Sequence, residues 1–404
     1  MNSMAVGVDI EKSVFQVHYI DQATGEIVNK QIKRAKFLEH FANRAPCLIG
    51  MEACGGAHHW ARQLTKMGHQ VRLMPAEFVK AFNIRNKNDA ADARAIWLAV
   101  QQPSKAVAVK TEMQQAMLAL HRMREQLVKF RTMQINALRG LLTEYGEVMG
   151  KGRIALDKAI PEVLARVAER LPAALVETLR EQWSGLTKLD EQIAGIERRM
   201  RDWVKEDKAV KAISEIPGVG LLTATATVAM MGDAKTFRSG REFAAWAGLV
   251  PKQTGSGGKV NLHGISKRGD TYLRTLLIHG ARSVVTRAKD PGPWVEQMTK
   301  RRPLNVVVVA LANKMARMIW AVLAHDRPYQ KDYISVKQDY PFQEGPSRLF
   351  VSTILRAHSS TGNSRGGKCC SASAKDTQRN SWCSGRPSSG LIGKATSPRA
   401  ETAR

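Results

Sequence analysis

Four carboxylates occupy positions that a fold could bring together. Asp9 ends the apolar run Val6-Gly7-Val8, Glu52 ends the run Leu48-Ile49-Gly50-Met51, and Asp89 and Asp92 stand three apart where a helical pattern begins. Short apolar runs of this kind read as buried strands, and strand ends deliver side chains to the rim of a sheet. The i, i+3 spacing puts Asp89 and Asp92 on one helical face. A helix laid beside both strand ends would converge four acids, which repel one another unless cations intervene. Two Mg²⁺ ions about 3.5 to 4 Å apart would relieve that repulsion, activate an attacking oxygen and stabilise the leaving oxygen of a phosphodiester. Taken singly, each acid also reads as a cap or turn former, and Asp89 suits a helix N-terminus. The conjunction is what points to strand cutting.

Other residues with chemical potential read more plainly. Gly255-Ser256-Gly257-Gly258 is, by its composition, a flexible loop. His58 and His59 follow Glu52 but read as helix-surface or partly buried histidines, and Trp60, Trp246 and Trp320 as core aromatics within helical patterns. Ile216-Pro217-Gly218-Val219-Gly220 fits either a plain helix-to-helix connection or a helix-hairpin-helix turn, in which Gly218 and Gly220 let backbone N–H groups approach a DNA phosphate. The cysteines Cys47, Cys54, Cys369, Cys370 and Cys383 show neither a CxxC pair nor a zinc spacing, and are expected to be reduced thiols.

The elements needed to position the acids are legible. Met4–Ile10, Ser13–Ile20 and Glu26–Ile32 read as three strands, the last two joined through the turn Asp21-Gln22-Ala23-Thr24-Gly25. Helices near 34–43, 58–67 and 88–100 then alternate with strands at 47–51 and 70–74. Hairpin-linked strands followed by α/β alternation suggest a ribonuclease H-like sheet. From Glu112 to Gly146 the apolar spacing predicts a long helix whose Arg122, Arg124, Lys129 and Arg131 form a basic face, and a second helical stretch runs from about Ile160 to Val204 as a hairpin or coiled-coil arm. Four regions are expected: a catalytic α/β domain over 1–110, a helical arm over 111–208, a mainly helical domain over 209–338, and a tail over 339–404 rich in Ser, Gly, Lys and Arg. The tail reads as disordered, with the abruptness of an altered reading frame.

Across its 404 residues the chain carries 62 Lys and Arg against 36 Asp and Glu, a formal charge of +26. A surplus of that size draws a polyanion by counterion release, so nucleic acid is the first partner to consider. The most apolar stretch, Asn305–Ala324, holds Asn313, Lys314 and Arg317 in its middle, which a lipid-facing helix disfavours by several kcal/mol. It reads as a buried helix. With no signal-peptide pattern at the N-terminus, the expected location is the cytoplasm.

These residues also carry a family resemblance. Val-Gly-Val-Asp-Ile at 6–10, Gly-Met-Glu-Ala-Cys-Gly at 50–55 and Asn-Lys-Asn-Asp-Ala-Ala-Asp-Ala-Arg at 86–94 resemble, in order, the DEDD motif of a group of bacterial insertion-sequence transposases, the bridge-RNA-guided recombinases. The second half agrees: Ile-Ser-Glu-Ile-Pro-Gly-Val-Gly from 213, Phe-Ala-Ala-Trp-Ala-Gly-Leu-Val-Pro at 243–251, Gly-Ser-Gly at 255–257 and Ser-Lys-Arg-Gly at 266–269 are similar to that family's C-terminal transposase domain. The resemblance covers most of residues 4–336. It implies a RuvC-like N-terminal domain in which Asp9, Glu52, Asp89 and Asp92 bind Mg²⁺, and a nucleophilic serine after the Ala-Gly-Leu-x-Pro segment, which is Ser256, with Ser266 its nearest competitor.

The expected enzyme is therefore a serine-dependent DNA recombinase. Ser256 would attack a phosphodiester to leave a protein–DNA link, and the freed hydroxyl would attack the partner strand. A serine hydroxyl needs a metal or base nearby, which the acids would supply across a domain or subunit interface. Lys252, Lys259, Lys267 and Arg268 would add positive charge around the serine. The resemblance further implies an element-encoded guide RNA, with the helix at 112–146 a plausible holder, and a homodimer or tetramer. Two alternatives stand beside this reading: a junction-resolving nuclease that uses the same acids with water, and a non-catalytic nucleic-acid scaffold in which the acids are structural.

Overall fold

A computed structural model describes residues 4–83, 88–103, 106–257 and 259–331; the segment read from sequence as a tail lies outside the described residues. The chain opens with three antiparallel strands, β1 (Ala5–Ile10), β2 (Val14–Ile20) and β3 (Ile27–Lys33). It continues through α1 (Phe37–Ala42), β4 (Leu48–Glu52), α2 (Ala57–Lys66), β5 (Gln70–Met74), α3 (Ala76–Lys80) and α4 (Asp89–Val100). The strands form one mixed sheet in the order β3-β2-β1-β4-β5, with β4 parallel to both β1 and β5. This is the ribonuclease H-like arrangement expected from the strand spacing.

Alternation along the strands builds a core on each face. Val6, Val8, Ile49 and Met51 bury their side chains with Phe15, Phe37, Phe41, Trp60 and Leu64, beneath α1 and α2. On the opposite face lie Gly7 and Gly50, and glycine there is a packing requirement. A Cβ on Gly7 would stand 2.5 Å from the Trp97 backbone nitrogen, and one on Gly50 would stand 2.7 Å from Val100 Cβ. The missing side chains let α4 lie directly on β1 and β4, where Ala93, Ile96 and Ala99 are buried.

Beyond the sheet, α5 (Glu112–Glu144) is a continuous helix of 33 residues, opened by a capping box between Thr111 and Gln114. The next helical stretch is two helices, α6 (Arg153–Ala168) and α7 (Ala173–Trp203). The break falls before Pro172, whose ring disfavours helical geometry at Leu171. The outer half of α5 packs with α6 and α7 around Leu138, Leu142, Leu156, Leu164 and Leu186.

The remaining elements are α8 (Lys208–Ser214), α9 (Leu221–Met231), α10 (Gly240–Trp246), β6 (Pro251–Ser256), β7 (Lys259–Ile265), α11 (Thr271–Arg287), α12 (Pro293–Thr299) and α13 (Leu304–His325). Their helices share one core with Met117 and Leu118 of α5 and with Ile196 and Met200 of α7, so the arm is rooted inside this helical body. Among the described residues α13 is the one helix long and apolar enough, by length and composition, to cross a membrane. Its Val307, Leu311, Met315 and Ile319 pack into that same core.

Candidate active site

The acids emerge where the glycine-floored groove ends. Val8 pairs with Met51, so Asp9 and Glu52 are the next residues on adjacent parallel strands. By strand alternation each lies two residues beyond a glycine, on the face that α4 covers. The helix starts at the same rim. Asn88 caps it by accepting from the Ala91 N–H at 2.7 Å, and Asp89 and Asp92 occupy its first turn.

Electrostatics records that these groups are neighbours. Burial pushes the Asp9 carboxyl up to about 6, with further repulsion from Asp92, Asp89, Glu11 and Glu52 in that order. All four sequence-expected acids therefore belong to one rim, joined by Glu11 from the β1–β2 turn. The other four are near enough to oppose the ionisation of Asp9, yet among the described residues no three His, Cys, Asp or Glu side chains close into a ready metal cage. The donor set is nonetheless the all-oxygen kind that hard divalent cations take, and Asp9 is a carboxylate that ionises reluctantly without a positive charge beside it. The residues fit a divalent ion.

Three polar residues brace the rim. Gln16 faces Asp9 across β1 and β2 and is buried, and its amide donates to Asn29 Oδ1. The Asn29 amide donates in turn to the Ala90 carbonyl at 3.1 Å, tying β2 and β3 to the first turn of α4. Asn83 donates to Asp92 Oδ1. The sequence reading missed Glu11, Gln16, Asn29 and Asn83. Only Gln16 left a signal, as an amide in a strand otherwise alternating toward the core.

Ser256 lies elsewhere in the fold. The segment expected as a mobile glycine loop is a two-stranded antiparallel ribbon of β6 and β7, with Ser256 opposite Lys259 at its tip. Every residue of β6 is exposed, and Val260 and Leu262 of β7 are 56% and 68% exposed. Gly257 takes a left-handed φ of 57°, as a tight reversal requires. The legs are stitched at their foot, where Ser266 N–H donates to the Val250 carbonyl at 2.7 Å and Lys267 N–H to the Gly248 carbonyl at 3.2 Å. Ser266 sits in that foot, its hydroxyl oxygen 3.5 Å from the Arg268 nitrogen. Lys252 and Lys259 lie on the ribbon, Lys267 and Arg268 at its foot.

The basic face of α5 is divided. Arg124 meets Glu197 at 2.6 Å and Arg131 meets Asp190 at 2.5 Å, so both hold α5 against α7; Lys129 pairs with Glu125 along the helix at 2.9 Å. Arg122 is exposed. In the α8–α9 connection Gly218 has φ of 86°, and a Cβ there would stand 2.8 Å from the Gly280 carbonyl oxygen of α11, while Gly220 is exposed with open space around its Cβ position. Packing against α11 thus accounts for the first glycine. His58 accepts from the Lys110 N–H at 3.2 Å, a structural role. Trp60 is buried as expected, and Trp320 donates to the Ala234 carbonyl at 3.0 Å. Trp246 departs from expectation: stacked on Phe243, it still exposes 37% of its surface.

Comparison with known proteins agrees with the order of these parts. Residues 6–147 match a transposase model of the DEDD type, and residues 210–295 match the model described as "Transposase IS116/IS110/IS902 family". A probable family 20 transposase of Pseudomonas aeruginosa is 45% identical over 82% of this chain and 99% of its own length. The transposase for insertion sequence element IS1111A of Coxiella burnetii is 40% identical over 80% of this chain and 91% of its own. A pilin gene-inverting protein of Moraxella lacunata is 24% identical, over 82% and 99%. The chain belongs to the IS116/IS110/IS902 family of DEDD transposases, enzymes that recombine DNA.

Proposed function

We propose that this transposase cuts and rejoins DNA through a covalent serine intermediate, with Asp9, Glu52, Asp89 and Asp92 as the metal-binding set and Ser256 as the nucleophile. The observation that carries the reading is the gathering of these acids at one rim around Asp9, whose ionisation is opposed first by burial and then by their charges. Mg²⁺ held by these acids would supply the positive charge that lets Asp9 ionise and would offset charge developing on the phosphate oxygens.

The chain's own residues do the rest. Ser256 Oγ forms a bond to phosphorus as a bridging P–O bond breaks; its proton passes to a rim carboxylate, and the departing oxygen takes up a proton to leave as a hydroxyl. Rejoining runs the step in reverse with a hydroxyl from the partner strand. An exposed ribbon is a good carrier for the serine, because its tip can enter DNA grooves or another subunit's rim without unpacking a core. Lys252, Lys259, Lys267 and Arg268 supply charge along its path. A dimer or tetramer would bring one copy's Ser256 to another's acids, and an element-encoded RNA would choose the DNA by base pairing, with exposed cations such as Arg122 contributing to its grip.

A relative named for inverting a pilin gene favours cutting with rejoining over hydrolysis. The test is to incubate the protein, any copurifying RNA and a plasmid bearing the element's ends with Mg²⁺, then separate products under denaturing conditions. Protein covalently joined to cleaved DNA is expected, retained in Ser266→Ala, lost in Ser256→Ala, with cleavage itself lost in Asp9→Asn. Cleavage without a protein adduct would establish the water-using nuclease, and binding indifferent to both substitutions and to Mg²⁺ would leave only a scaffold.

A further inference from the structure

A cleft of about 240 Å³ opens where the N-terminal sheet domain, the root of α5 and the foot of the serine ribbon come together. Its floor is apolar, formed by Leu118 and Met230. Its lining also holds two aromatic residues, Trp246 with a partly exposed indole and Tyr272, the cations Lys110 and Arg122, and the acids Glu125 and Asp270. Tyr272 is held in place from behind. Thr225 Oγ1 donates to the Leu221 carbonyl at 2.7 Å, so it accepts from His121 Nε2 at 3.0 Å, which leaves His121 Nδ1 to accept the Tyr272 hydroxyl at 2.9 Å.

The charged groups of the lining are two cations and two acids. Among the described residues Lys110 has no ion-pair partner, and its ammonium stands 3.5 Å from His58 Nε2, a ring that burial keeps neutral by lowering its pKa to about 4. The two acids of the lining have partners of their own, Asp270 capping α11 by accepting from the Leu273 N–H at 2.8 Å and Glu125 pairing with Lys129, while the Asp270 charge still favours the Lys110 ammonium. A half-buried ammonium and an exposed guanidinium that make no ion pair among the described residues can take a phosphate, and a partly exposed indole can take a planar ring. An unpaired nucleotide supplies both at one spacing.

We propose that this cleft receives one unpaired nucleotide of the nucleic acid being handled, its base against Trp246 and Tyr272 and its phosphate on Lys110 and Arg122. The volume is below the roughly 300–1,000 Å³ of pockets for drug-sized ligands, which suits a single base and excludes a duplex. Position gives the site its use. Lys110 is joined to α2, which follows Glu52, and Trp246 and Tyr272 flank the ribbon that ends in Ser256. A nucleotide drawn in here would be held between the two halves of the catalytic machinery, in the manner of enzymes that take a base out of the stack before acting beside it. The proposal rests on the strand-transfer reading only for the identity of its ligand as nucleic acid.

The test uses the full chain and three probes of one mixed 20-nucleotide sequence: single-stranded DNA, single-stranded RNA, and blunt DNA duplex. The single strands carry 5-iodouracil for photocrosslinking. Crosslinks are expected on peptides holding Trp246 or Tyr272, and Trp246→Leu should weaken single-strand binding about tenfold with duplex binding changed less than twofold. Because Trp246 also packs on Phe243 and Phe237, Arg122→Ala on the exposed face of α5 provides a second variant, with the same selective loss expected. Whichever single strand binds more tightly and crosslinks there identifies the source as DNA or RNA. Crosslinks confined to other surfaces, or equal losses for single strand and duplex, would overturn the proposal. A protein that forms the serine adduct yet fails here loses the cleft alone, and one that passes here without an adduct loses the strand-transfer reading alone.

Discussion

At the carboxylate rim neither Gly7 nor Gly50 has room for a single methyl group, whereas the ribbon that carries Ser256 touches almost nothing along its length. The acids sit on two strands and a helix locked by a close-packed interface, so their relative positions are set by the same contacts that hold the domain together. The ribbon is set only at its foot. Under the proposed mechanism, acids that share an ion need fixed geometry, while a serine delivered to DNA or to another subunit needs reach. The molecule divides its rigidity accordingly.

That contrast can be broken by experiment. Gly7→Ala should have the largest effect, costing about 3 kcal/mol or more, because the methyl group meets backbone of α4 rather than a movable side chain. A thermal melt within a few degrees of wild type would show that α4 is free to shift and that the rim is not rigid.

Acid should next loosen the joint of α5 with α9 and α11. His121, linked to α9 and α11 by hydrogen bonds, is kept neutral by burial, its pKa lowered to about 4. The unfolded chain binds that proton near pH 6.5, so stability present above 6.5 is lost as pH falls toward 4, by about 2–3 kcal/mol for this residue. His40 and His58, also lowered to about 4, add losses of the same sign. Urea titrations at pH 7 and pH 5 measure the slope, and His121→Gln should flatten it. An unchanged slope would remove His121 from the joint.

Asp9 works in the opposite direction. Its folded pKa near 6 exceeds its ordinary value, so its contribution is favourable below the ordinary carboxylate range and is lost as pH rises through 6. In chelator at pH 8, Asp9→Asn should therefore stabilise the protein by about 1–2 kcal/mol, a figure reduced for the partial exposure of the site, and the gain should vanish by pH 4. Destabilisation instead would mean that the ionised acid makes favourable contacts at the rim. The smallest effect belongs to the ribbon: Leu262→Ser should change stability by no more than about 0.5 kcal/mol, since the side chain buries little to begin with. A larger loss would reveal a docked ribbon and erase the contrast.

The same division governs how much could be read from sequence. Strands β1 and β4 are apolar runs because both faces of the sheet are covered there, and the acids stood out as charges ending such runs. The ribbon buries neither face, so β6 has no apolar period to detect and its Gly-Gly dipeptide was taken for a loop when it also fits a tight hairpin turn. The long helices were legible by spacing, but which cations of α5 are committed to α7 was not, because Glu197 and Asp190 lie more than fifty residues away from Arg124 and Arg131. Trp246 was misjudged for a related reason: helical spacing shows that one side of a ring is buried and says nothing of the other. The bracing by Gln16 and Asn29 depends on strand register, which no local pattern fixes.

The stitched foot of the ribbon has an engineering consequence. Since the two legs are joined to each other by Ser266 and Lys267 before they leave the helical body, trimming two residues from each leg would draw the tip back by about 7 Å while leaving every buried side chain in place. Finger length is thus a dial separate from folding, and under the proposed mechanism it sets how far the serine reaches.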